Sequence, residues 1–319
     1  MKTFINLLSA LMMATPLTAI AAEPVTSITV AADGSGDYTT LTQALRKLRG
    51  DMEYDVKIYV KNGVYKEKLV MGASLRNIEI IGENVDSTII TFGDYASLNN
   101  MGTSNSYTLK VESCDVTFSN LTFENSAGPV GQAVAVYTTG DCIQFRNCRF
   151  LGNQDTLYTG GKERRLYFDN CYIEGTTDFI FGPATALFTD CDIYAKADSY
   201  ITAASTPRDV TLGYVFYKCN VTAAPGVTKV YLGRPWRPYA STFFIDCKLP
   251  AQIIPSGWHN WSDPANELTA RYGEYGCTGE GADSGKRVTW AKTISAEDAR
   301  LYVNPEYIFN RCNTWNPEK

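Results

Sequence analysis

From Phe118 to Leu249 the chain repeats one phrase: apolar and polar residues alternate, a polar residue interrupts, a small apolar residue follows, and alternation resumes. The copies read Phe145-Arg146-Asn147-Cys148-Arg149-Phe150, Tyr167-Phe168-Asp169-Asn170-Cys171-Tyr172-Ile173 and Leu187-Phe188-Thr189-Asp190-Cys191-Asp192-Ile193. Two more are Phe216-Tyr217-Lys218-Cys219-Asn220-Val221 and Phe243-Phe244-Ile245-Asp246-Cys247-Lys248-Leu249, while Leu121 takes the Cys place in Phe118-Ser119-Asn120-Leu121-Thr122-Phe123. A period of two predicts strands with one face buried. The cysteines recur after 23, 20, 28 and 28 residues with no amphipathic helix between them. Such a repeat predicts an all-β, single-domain parallel β-helix, in which each coil buries its inner face only against its neighbours. The cysteines then form a buried ladder of small side chains.

Solenoid ends need covering. Thr40-Leu41-Thr42-Gln43 is a capping box, and Leu41, Ala44, Leu45 and Leu48 follow at helical spacing up to Gly50, so a short helix is expected over the first coil. Ser295-Ala296-Glu297-Asp298 signals a second helix start, and the segment after about Asp263 is expected to fold back as the other cover.

The repeat places chemistry in phase. Asp155 lies seven residues after Cys148 and Asp178 seven after Cys171, and Gln132 precedes Asp155 by the same 23 residues that separate the two aspartates. Neighbouring strands are about 4.8 Å apart, so stacked coils bring two carboxyl groups together that cannot comfortably both ionise. One acts as acid, the other as nucleophile or base. Asp198 continues the phase between Lys196 and Ser199 and reads as a solvated turn. Other engines lack parts: there is no G-x-S-x-G elbow, and His259, an ordinary loop residue on this reading, is the single histidine. With the cysteines in strands, no metal site is expected and no cofactor is implied.

Composition narrows the setting. Lys2, an apolar stretch from Phe4 to Met13 and Ala19-Ile20-Ala21 read as a signal peptide over residues 1–21, leaving a secreted domain over 22–319. The stretch is short and interrupted for a membrane span. The net charge is −5 and no Lys/Arg block occurs, which argues against nucleic acid as partner. Nine cysteines in an exported chain permit disulfides, with one left over in a monomer.

Five blocks carry a family resemblance. Gly63-Val64-Tyr65-Lys66-Glu67, Gln132-Ala133-Val134-Ala135-Val136, Gln154-Asp155-Thr156-Leu157-Tyr158, Asp178-Phe179-Ile180-Phe181-Gly182 and Leu232-Gly233-Arg234-Pro235-Trp236 resemble, in order, the signature blocks of pectin methylesterases. The resemblance implies a right-handed β-helix and metal-free hydrolysis of galacturonosyl methyl esters in pectin. It implies Asp178 as nucleophile, Asp155 as acid and then base, Gln132 and Gln154 as oxyanion donors, and Arg234 in contact with Asp178. Thr103, Tyr158, Phe181 and Trp236, with Gln132 and Arg234, are the implied contacts to the sugar chain, and Cys171 with Cys191 an implied disulfide. A monomer with pectin as its partner is expected. Paired carboxyl groups also suit a retaining glycosidase on the same solenoid, and a non-catalytic polysaccharide binder is a further alternative. The two glutamines favour acyl transfer.

Overall fold

The computed structural model describes residues 25–310 and 315–319. The expected signal peptide and Cys312 lie outside them. Three parallel sheets, of eleven, seven and seven strands, wrap one interior; seven coils contribute a strand to each, and the first sheet alone continues by one strand before them and three after. The chain is a parallel β-helix, as the repeat predicted, and a right-handed one, as the resemblance implied.

The cysteine phrase spans the corner between the first and second sheets. Ile143–Arg146, Arg165–Asp169, Thr185–Thr189, Tyr214–Tyr217 and Ser241–Ile245 pair in register in the first, and Arg149–Leu151, Tyr172–Gly175, Asp192–Ala195 and Asn220–Ala223 in the second. The interrupting polar residue turns the corner. Asn120, Asn147, Asn170, Asp190, Lys218 and Asp246 all have φ between +48° and +56°, the left-handed region that Asn and Asp tolerate best.

Behind each corner Cys148, Cys171, Cys191, Cys219 and Cys247 point inward, and each thiol lies 3.3–3.5 Å from the carbonyl oxygen two residues back. Every described cysteine is a free thiol. Cys171 and Cys191, the pair for which the resemblance implies a disulfide, are adjacent rungs of this ladder and are not joined. The Cys171 N–H donates to the Cys191 sulfur at 3.4 Å instead. Phe118, Phe145, Phe168, Phe188, Phe216 and Phe244 form a second inner column, with successive ring centroids 4.4–5.1 Å apart.

Helix α1 (Leu41–Lys47) covers the first coil, buries Leu41, Ala44 and Leu45, and is capped by the Thr40 hydroxyl accepting from the Gln43 N–H. Glu67 accepts from the N–H groups of Leu41 and Thr42, so this signature residue anchors the cap. The other end departs from expectation. Arg271–Tyr275 still pairs with the first sheet, extending the solenoid beyond Asp263. Helices α2 (Ala296–Tyr302) and α3 (Pro305–Ile308) fold back along that sheet's outer face, where Ile294, Ala299, Ile308 and Phe309 pack on Tyr167, Leu187, Val215 and Phe243. The final coil is closed by the preceding segment, in which Val288, Trp290 and Ala291 pack against the core. No helix among the described residues is long and apolar enough to cross a membrane.

Candidate active site

The third sheet positions the site. Its strands Val136–Thr138, Leu157–Thr159, Ile180–Gly182, Tyr200–Ala204 and Tyr231–Gly233 stack in register, with Leu157 paired to Ile180 and Ile180 to Thr202. Asp155 and Asp178 each stand two residues before these paired positions, so consecutive coils bring them together. Their N–H groups donate to the Thr177 and Tyr200 carbonyls of the following coil. Both have left-handed backbone, φ +64° and +51°, at the bend leading into the strand. Gln132 and Gln154 bridge one coil earlier. The stack inferred from the 23-residue spacing is formed for Asp155 and Asp178, whereas Gln132 pairs with Gln154, one residue before Asp155.

Arg234 comes from a later coil. Its N–H donates to the Thr202 carbonyl, which places it alongside Ala203, and its side chain reaches back two coils to Asp178. The side chain passes the intervening Tyr200–Ala204 strand, and Nε meets one Asp178 carboxylate oxygen at 2.9 Å while a terminal nitrogen meets the other at 2.7 Å. This two-point contact is the strong form of an Arg–carboxylate pair. A cavity of about 240 Å³ opens over the cluster, lined by Thr103, Gln132, Gln154, Asp155, Asp178, Phe181, Ala203, Arg234, Trp236 and Trp261. A larger groove, about 530 Å³, runs between the first sheet and the C-terminal tail, and its charged lining includes the Lys57–Glu79 ion pair.

Burial and charge split the two carboxyl groups. Asp155 is pushed up to about 8 by burial first and by the Asp178 charge second, with Arg234 opposing. Asp178 is also raised by burial, against the hydrogen bonds and charge of Arg234. The sequence disclosed only the lowering influence of Arg234. The two-point contact leaves Asp178 as the member that ionises first and Asp155 as the one that keeps its proton.

The structure brings together every residue expected at the site except Tyr158, which stands one rung outside the cavity wall against Phe181, ring centroids 5.0 Å apart. Three residues were not anticipated. Ala203 is small where the Arg234 side chain passes, Trp261 lies over the guanidinium, and Tyr200 lies against it too. His259 is more than a loop residue, because its Nδ1 accepts the Trp261 N–H at 3.0 Å. Asp198 behaves as read, capping the N–H groups of Thr228 and Lys229 at the surface.

The class in hand is a right-handed parallel β-helix with a buried carboxylate pair under a groove on one sheet face. Its sequence places it further: the pectinesterase family model matches residues 27–311, and the chain belongs to that family of carboxylic ester hydrolases, acting on methyl esters of pectin. Pectinesterase 31 of Arabidopsis thaliana is 36% identical over 293 residues, covering 88% of this chain and 92% of the relative. The pectin methylesterase from carrot superposes with a TM-score of 0.84 at 34% identity, covering 91% of this chain and 94% of that one. The Aspergillus niger enzyme gives a TM-score of 0.77 at 34% identity, with 86% and 92% covered.

Proposed function

We propose that the chain removes the methyl ester of galacturonosyl residues in pectin through a covalent acyl intermediate on Asp178. One observation carries the reading: an aspartate held at two points by Arg234 beside a second aspartate that retains its proton near neutrality.

The ionised Asp178 oxygen attacks the ester carbonyl carbon, and the carbonyl oxygen takes up the displaced electron pair. The side-chain amides of Gln132 and Gln154 donate to that oxyanion, and losing one such donor typically costs about 2.7–4 kcal/mol. The oxyanion collapses, the bond to the methoxy oxygen breaks, and Asp155 gives its proton to the departing methanol. Now ionised, Asp155 takes a proton from water, whose oxygen attacks the acyl carbon. Asp178 is released as carboxylate, the galacturonic acid formed gives the second proton of the water to solvent, and Asp155 is protonated again. Thr103, Phe181 and Trp236 face the sugar chain, with Tyr158 supporting Phe181. The first 21 residues act as a secretion signal, and the mature enzyme works as an extracellular monomer without cofactor.

The test measures methanol release and new reducing ends from methylated pectin. The wild type is expected to release methanol with no new reducing ends, and Asp178→Asn and Asp155→Asn to lose activity by about 10³-fold or more while remaining folded. Reducing ends in place of methanol would transfer the carboxylates to glycosidase chemistry.

A further inference from the structure

Arg234 is held on more sides than its ion pair requires. Its guanidinium carbon lies 3.9 Å from the ring centroid of Tyr200 and 3.7 Å from that of Trp261. Two rings this close cannot share one face of a planar group, so they sandwich it and leave the edge for Asp178. A second, independent feature concerns the loop that delivers Trp261. Trp261 and Ser262 have φ of +60° and +58°, a conformation that a bulky side chain seldom adopts.

That strain is held by side-chain acceptors. The Trp261 N–H donates to His259 Nδ1 and the Ser262 N–H to Asn260 Oδ1 at 2.9 Å, while the Asn260 amide donates to Glu267 at 2.7 Å. The His259 ring rests 5.4 Å from both Tyr200 and Tyr231, which stack on each other. Backbone strain sustained this way marks a functional placement.

We propose that Trp261 and Tyr200 are positioning residues that fix the Arg234 guanidinium against Asp178, and that neutral His259 seats Trp261 by accepting its N–H. The inference rests on the catalytic reading above and names parts that reading does not use. An arginine side chain free to swing would give Asp178 less of its charge, and the carboxyl group would hold its proton to higher pH. The charged or titratable groups facing this cluster are Asp155, Asp178, Arg234, His259, Tyr200 and Tyr231. Burial and Arg234 hold the imidazole below its ordinary range, so it remains an acceptor where the enzyme works.

The deciding measurement is the pH profile of kcat/KM for methanol release, with KM and kcat separated and folding followed by circular dichroism. In Trp261→Ala and Tyr200→Leu the acid limb should move up by about half a pH unit or more, with kcat falling about tenfold. Tyr200→Phe keeps the ring and should match the wild type. His259→Asn retains an acceptor at the Nδ1 position and should also match, whereas His259→Leu should follow Trp261→Ala. If Trp261→Ala does not fold, the Tyr200→Leu and Tyr200→Phe pair decides. An unmoved acid limb in the folded variants overturns the proposal, and a rise in KM alone would make Trp261 a sugar contact. Methanol release by Asp178→Asn would instead overturn the catalytic reading and leave the clamp geometry untouched.

Discussion

Asp155 carries a proton into the neutral range because the solenoid buries it next to another carboxylate. Two consequences follow for pH. On the proposed mechanism activity needs Asp178 ionised and Asp155 protonated, so kcat/KM should fall on the acid side as Asp178 gains a proton and on the alkaline side as Asp155 loses one at about 8. The limbs belong to the pair rather than to either residue alone. Stability moves in the opposite sense to the usual carboxylate. The folded value lies above the ordinary 3.8, so the native state binds the proton more tightly, and the contribution to stability is complete below about 4 and is lost as pH rises through about 8. Asp155→Asn, a permanent mimic of the protonated acid, should therefore be more stable than the wild type by about 1–3 kcal/mol at pH 8.5 and little changed at pH 4. Thermal melts at the two pH values check this. An equal shift at both would mean that packing, not ionisation, is responsible.

At the scale of elements, the strands that repeat the cysteine phrase were readable because one buried face imposes a period of two and the corner residue recurs beside it. Asp155 and Asp178 inherited their relation from that phase, and Arg234 was located through the Gly-Arg-Pro-Trp context rather than through periodicity. The short strands that hold the site were harder to read. Ile180–Gly182 is buried at all three positions, which erases alternation. Tyr200, Ala203 and Trp261 meet Arg234 from separate segments, and no local pattern announces a contact of that kind. The upward shift of Asp178 was equally hidden, since burial depends on the whole coil. The inner columns also bear on the implied disulfide. Mass spectrometry of the denatured, unreduced protein after alkylation should find label on Cys171 and Cys191, and a linked peptide pair would contradict the free ladder. Phe168 is fully buried between Phe145 and Phe188, at 5.1 and 4.5 Å. Phe168→Ala should cost about 3–5 kcal/mol in urea unfolding, as a cavity inside a column cannot collapse without unseating both neighbours.

Across the whole molecule, the site draws on coils that bury themselves only against their neighbours, so its precision depends on how the far end is closed. The last coil is tied to the segment before the Trp261 loop by one buried cation. Arg287 meets Glu274 at 2.7 and 2.9 Å, both side chains being almost fully buried, and it also donates to the carbonyls of Ile254, Pro255 and Gly281. Gly257 lies against the same side chain with φ +68°, and a Cβ there would stand 2.5 Å from Arg287 Cδ. Removing one partner of such a pair strands a buried charge, which typically costs about 3–5 kcal/mol, whereas replacing both with apolar residues of similar size is often close to neutral. Arg287→Met should thus destabilise strongly and, by freeing residues 254–257, also lower kcat through the loop that carries Trp261. Arg287→Met with Glu274→Met should recover much of the stability but not the carbonyl ties, so kcat should stay depressed while the melting temperature returns towards the wild-type value. Measuring melting temperature and methanol release on the two single variants and the double variant separates these effects. Recovery of both together would show that the ion pair acts on the site only through global stability.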